Sequence, residues 1–209
     1  MKNVSDLATI IESRLSNLIK NPASELNFSN TFELLIAVML SAQCTDKRVN
    51  MVTDVLFKKY KTPKDFSKLK LEELESIIKS CNYYHNKAKN IIETCKILVE
   101  KFNGQVPSEH TELISLPGVG NKTANVVEAV GFQKQAFAVD THILRVSNRL
   151  GLANTNNPTH CEKELVQIFN EKDFGQVHHL ILLFGRYYCT ARNPKCEMCV
   201  MKDICKYGK

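Results

Sequence analysis

Leu116-Pro117-Gly118-Val119-Gly120-Asn121-Lys122-Thr123-Ala124 lies between two segments of helix-like apolar spacing. Glycine at 118 and 120 allows the backbone to turn tightly and to come close to another body. A helix that opens near Asn121 offers its first N–H groups to a phosphate oxygen. A turn of this kind holds a nucleic-acid backbone through Gly118, Val119 and Gly120 without reading bases. Lys122, just inside the helix, is then held against whatever the turn grips. The alternative is an αα-hairpin with a surface lysine, and the turn alone leaves both open.

Outward from this turn, nearly every segment reads as helix. Val4, Leu7, Ala8, Ile11, Leu15, Leu18 and Ile19 recur with a period near 3.6. Phe32 to Ala42 is apolar nearly all round, as a buried central helix requires. Thr45 or Asp46 caps the next helix, whose face carries Val49, Val52, Leu56 and Tyr60. Leu71 to Ile78 marks a short helix, and Ala88 to Phe102 a long one ended by Asn103-Gly104 and Pro107. Leu113 to Leu116 leads into the turn, and Thr123 to Phe132 leaves it. Ile143 to Leu150, Cys161 to Phe169 and Phe174 to Tyr188 complete the pattern, and Ala136 to Val139 is the one strand-like piece. The expectation is an all-α fold of about ten helices. Polar Gln133 to Gln135 is a plausible crossing between two helical lobes, with Lys122 before it and Asp140 beyond it.

The 209 residues suit one large or two small domains. Eight glycines and six prolines, with no low-complexity run, argue against long disordered linkers. A net charge of +6 favours a polyanionic partner without proving one. Basic residues gather near the end of the chain: Arg186, Arg192, Lys195, Lys202, Lys206 and Lys209. The opening Met-Lys-Asn begins no apolar signal segment, and no window approaches the ~20 apolar residues of a membrane span. These features fit a soluble protein in a reducing compartment, which disfavours a disulfide framework.

That same end carries Cys189-x6-Cys196-x2-Cys199-x5-Cys205. Four thiolates this close among lysines and arginines bind a metal or an iron–sulfur cluster. Zinc ribbons pair two short knuckles, whereas only one Cys-x2-Cys is present here. Spacing alone places the cluster only modestly ahead of zinc. Cys44, Cys81, Cys95 and Cys161 are scattered and read as small core residues.

Lys122 and Asp140 carry the candidate chemistry. A neutral lysine amine attacks carbonyl-like carbon and forms Schiff bases. Its solution pKa of ~10.4 must fall for that, and burial at a helix start would lower it. Asp140, in Val139-Asp140-Thr141-His142, could accept the amine proton or stabilise positive charge on a sugar carbon. It is equally a helix N-cap, and one residue can serve both ends. His142, His178 and His179 read as structural. Gln43, ending Ser41-Ala42-Gln43, is either a helix-end residue or a probe for the space an extruded base leaves. Tyr83-Tyr84-His85-Asn86-Lys87 reads as an aromatic, polar loop that stacks on bases or packs at the next helix start.

With these residues assembled, the chain resembles the endonuclease III family of helix-hairpin-helix DNA glycosylases over nearly its whole length. The resemblance rests on Leu40-Ser-Ala-Gln43, Leu116 to Ala124, Ala138-Val-Asp-Thr-His-Ile143, Gly185-Arg-Tyr187 and the cysteine tail. It implies a two-lobed all-α fold. A six-helix barrel would span residues 22–132, and residues 1–21 with 133–209 would form a second domain. It also implies a [4Fe-4S] cluster on Cys189, Cys196, Cys199 and Cys205. Lys122 would be the nucleophile and Asp140 its carboxylate partner. Gln43 would fill the vacated space, and Tyr83 would press into the opposite strand. Arg192 and Lys195 would meet phosphates on a loop that the cluster orders. The implied partner is double-stranded DNA with damaged pyrimidines or abasic sites, met by a cytoplasmic monomer, nucleoid-associated if bacterial, with no membrane contact. Oxidised bases would be excised and the strand cut on the 3′ side by β-elimination.

The chain departs from the family pattern in places. Asn82-Tyr83-Tyr84 replaces the family's Gly-Leu-Tyr, and Asn82 is expected to take the left-handed backbone of that glycine. Asn121 stands where arginine is common. The adenine-mismatch glycosylases share the hairpin and cysteine spacing but carry serine at the lysine position and a further C-terminal domain. Two rivals remain open: a non-catalytic iron–sulfur DNA-binding protein, and an abasic-site lyase without base excision.

Overall fold

The computed structural model describes residues 4–134 and 137–207; Met1 to Asn3, Gln135, Ala136, Gly208 and Lys209 fall outside it. The described residues are helical with no strand, and Phe137 to Val139 of the strand-like piece is irregular. Their contacts divide the chain into two compact units, Ser24–Lys134 and Met1–Ala23 with Gln135–Lys209.

The first unit holds α2 (Thr31–Ser41), α3 (Asp46–Lys59), α4 (Pro63–Ser67), α5 (Leu71–Ile78), α6 (Tyr84–Lys101), α7 (His110–Leu113) and α8 (Asn121–Val126). Leu34 to Ala37 and Leu40 of α2 have no exposed surface, so this helix is the axis of the unit, as its unbroken apolar run requires. Leu56, Phe66, Leu74, Ile78, Ile91 and Leu98 close around it. Asn30 caps α2 by accepting from the Glu33 N–H at 2.9 Å. Thr62 and Asp65 form a capping box on α4, a helix too short to show an apolar period. Beyond α8 the helix widens into a π turn, Val127–Gly131. A Cβ at Gly131 would lie 2.9 Å from the Thr31 methyl, so glycine lets this turn press against α2.

The second unit holds α1 (Val4–Leu18), α9 (Thr141–Leu150), α10 (Pro158–Leu165), a single 3₁₀ turn (Glu171–Asp173) and α11 (Phe174–Tyr187). Ile11 and Leu15 of α1, Ile143 and Val146 of α9, and Leu180 and Ile181 of α11 form its core with Phe137. The α9–α11 crossing is tight. A Cβ at Gly185 would meet the Val146 methyl at 2.9 Å and His142 Cβ at 3.0 Å. No helix among the described residues is long and apolar enough to cross a membrane.

Candidate active site and nucleic-acid interface

The hairpin between α7 and α8 is anchored from α6. Thr94 Oγ1 donates to the Pro117 carbonyl at 2.9 Å, and Val119 N–H closes the turn onto Leu116 O at 3.1 Å. Gly118 has φ +77°, and a Cβ there would lie 2.8 Å from the Asn90 amide nitrogen. Gly120 has φ −94°, which any residue adopts, and a Cβ would meet nothing within 4 Å. Gly118 therefore makes the turn, whereas Gly120 leaves backbone open to an outside body. Val119 turns inward and is buried. His110 of α7 ties the π turn to the start of α8, its Nδ1 lying 2.6 Å from Glu128 Oε2 and its Nε2 3.3 Å from Asn121 Oδ1.

Lys122 is the second residue of α8 and is exposed. The burial expected from sequence is thus absent at this position. Asp140 caps α9, with Oδ1 accepting the N–H groups of His142 and Ile143, both at 2.8 Å. The cap fixes the carboxylate rotamer and leaves the side chain half-buried. Arg145 NH2 lies 3.2 Å from His142 Nδ1, and Gly175 O is 2.8 Å from His179 Nδ1, so these histidines have structural partners.

Gln43 and Tyr83 share an uncommon backbone conformation with Asn103, Gln133 and Asn193. Gln43 and Tyr83 are each exposed with left-handed φ, +53° and +57°, although neither is glycine. That conformation costs about 1–2 kcal/mol per residue. Strain of this kind collects at working sites. Two expectations are corrected here. Asn82 does not take the left-handed conformation; Tyr83 does, while the Asn82 side-chain amide donates to the Gln43 carbonyl at 2.7 Å. Nor are Tyr84 to Lys87 a loop. They form the first turn of α6, and Lys87 is buried with its Nζ donating to Leu40 O at 2.8 Å and Ala42 O at 2.7 Å. Burial lowers the Lys87 amine below its ordinary range, while the neighbouring Cys81 and Cys44 thiols act in the opposite direction. Apolar spacing gave no sign of this lysine, because a charged residue at a core position reads as a solvated one.

The cysteine segment follows α11. Cys189 N–H donates to Phe184 O at 2.8 Å, Cys199 N–H to Cys196 O at 3.2 Å and Cys205 N–H to Met201 O at 2.8 Å. The donor set fits an iron–sulfur cluster. Two sulfurs receive N–H donors of the kind that stabilise thiolate: Met201 N–H to Cys199 at 3.4 Å and Arg149 NH1 to Cys189 at 3.4 Å. Burial raises the Cys199 thiol most, and Cys189, Cys205 and Cys196 each add to that, so the four lie within electrostatic reach of one another. Arg149 NH1 also donates to Thr190 O at 2.8 Å, and its guanidinium lies 3.9 Å from the Tyr207 ring centre. Arg192 and Lys195 are exposed.

Comparison with known proteins gives a consistent answer. A family model for the HhH-GPD superfamily base excision DNA repair protein matches residues 36–171. A model for the iron-sulfur binding domain of endonuclease III matches residues 189–205. Endonuclease III of Bacillus subtilis (strain 168) is 46% identical over 197 residues, which cover 94% of this chain and 90% of that protein. Endonuclease III of Escherichia coli (strain K12) is 45% identical, covering 94% and 93%. A solved structure of a trapped endonuclease III–DNA covalent intermediate has a TM-score of 0.93 and 44% identity, over 99% of this chain and 97% of that one.

Proposed function

The chain belongs to the endonuclease III family of the HhH-GPD superfamily of base excision DNA repair proteins, and on that premise we propose how its residues divide the reaction. It is a DNA glycosylase and AP lyase that binds DNA and carries an iron–sulfur cluster. In our reading its substrates are oxidised or ring-saturated pyrimidines and abasic sites in duplex DNA, and it works as a cytoplasmic monomer.

One observation carries the assignment of Lys122. It is an exposed amine at the first turn of α8, directly after a turn whose backbone is open at Gly120. The Gly118–Gly120 backbone grips a phosphate, which sets Lys122 against the sugar of a flipped nucleotide. DNA over the amine supplies the desolvation that the protein alone does not. Neutral Lys122 Nζ attacks C1′, and the bond from C1′ to the base breaks. Ring opening then gives a protonated Schiff base between Nζ and C1′. Loss of a C2′ proton expels the 3′ phosphate and cuts the strand. Asp140 takes the proton from the attacking amine or faces the positive charge that grows on C1′. Gln43 occupies the space left in the stack, and Tyr83 stacks into the opposite strand. Cys189, Cys196, Cys199 and Cys205 would hold the cluster, and the loop they anchor would lay Arg192 and Lys195 on phosphates.

Asp140→Asn separates the two roles of that residue. Asparagine caps helices as well as aspartate does, so stability should stay within about 0.5 kcal/mol in urea unfolding. Excision of thymine glycol under single-turnover conditions should fall by roughly 10²–10⁴-fold. An unchanged excision rate would remove Asp140 from the chemistry.

A further inference from the structure

We propose that Lys87 is a positioning residue for base excision: its buried ammonium, with Asn82, clasps the end of α2 so that Gln43 is aimed into the DNA. The inference rests on the reading of Gln43 given above.

The carbonyls at the end of a helix lack partners within the helix. Along α2 they find them in turn. Ser41 Oγ takes Val38 O at 2.8 Å, and Cys44 N–H takes Ser41 O at 3.0 Å. Lys87 takes Leu40 O and Ala42 O, and Asn82 takes Gln43 O. Three carbonyls, at 40, 42 and 43, are thus gathered by two side chains from the segment that carries Tyr83. A glycine after the helix would end it at little cost. Here the chain instead holds Gln43 in the left-handed region and buries Lys87 to 8% exposure. Buried charge is expensive, and backbone strain persists only where the surroundings fix it. Lys87 meets the first demand with two carbonyls at the negative end of the α2 dipole. It meets the second by fixing the carbonyl one residue ahead of Gln43. The same clasp joins Gln43 and Tyr83, both left-handed and exposed, into one piece.

A double-mutant cycle tests this, because residues that act through one another fail to add. Excision from a duplex carrying one thymine glycol is measured under single-turnover conditions for wild type, Gln43→Ala, Lys87→Met and both together, with folding checked by circular dichroism. Gln43→Ala and Lys87→Met should each slow excision by about tenfold, and the double variant should be no slower than the slower single one. Losses that multiply, or a Lys87→Met rate equal to wild type, would overturn the role of Lys87 and leave Gln43 as assigned. A Gln43→Ala rate equal to wild type would overturn the reading of Gln43 itself. Should Lys87→Met not fold, Asn82→Ala replaces it in the cycle. Asn82 is exposed and touches the same clasp, so the same lack of additivity with Gln43→Ala is expected and multiplied losses refute it.

Discussion

Gly118 and Gly120 stand two positions apart and are glycine for different reasons, which single substitutions should separate. Gly118→Ala forces a side chain into left-handed backbone and against Asn90. It should cost about 1–3 kcal/mol in urea unfolding. Gly120→Ala meets neither obstacle, so stability should hold within about 0.5 kcal/mol while duplex binding weakens. Equal losses of stability would refute the distinction. The sequence marked both glycines, because backbone freedom is written into residue type. It did not mark Lys87, whose burial depends on carbonyls more than forty positions earlier in the chain. It also placed the left-handed residue at Asn82, by intrinsic preference. The structure gives that conformation to Tyr83, while the Asn82 amide is engaged at the Gln43 carbonyl.

Among the elements, α1 is tied to the cluster segment far from it in sequence. Arg14 NH1 donates to Val200 O at 2.7 Å, and its guanidinium meets both Asp203 carboxylate oxygens, NH2 to Oδ2 at 2.9 Å. Bidentate pairing of this kind fixes geometry as well as charge. Arg14→Ala should therefore lose iron severalfold faster on incubation with a chelator, followed by visible absorbance. An unchanged rate would make the contact incidental. The long helices were legible because their apolar spacing is strict and their caps are local. α4, the 3₁₀ turn and the π turn were not, since five residues or fewer cannot display a period. α10 begins at Pro158, three residues before the first apolar position by which the sequence marks it, because Asn157 and Pro158 rather than an apolar residue start it.

For the whole molecule, the net charge of +6 and the exposed Arg192 and Lys195 imply binding dominated by phosphates. Affinity for undamaged duplex should fall linearly on a log–log plot against salt. Arg192→Ala and Lys195→Ala should each reduce that slope by about one. A slope unchanged by both would take the cluster loop off the DNA. The all-α class was readable throughout, because no segment alternates with period two. The two compact units are less so, since the boundary of the first at Lys134 falls within a polar run that offers no single break. The central claim is that Lys122 forms a Schiff base with the sugar, and borohydride trapping tests it most directly. With a duplex carrying one thymine glycol, wild type plus reductant should give a covalent protein–DNA species that Lys122→Ala does not. An equal yield of adduct from Lys122→Ala would contradict the account, as would efficient strand cleavage by wild type with no adduct.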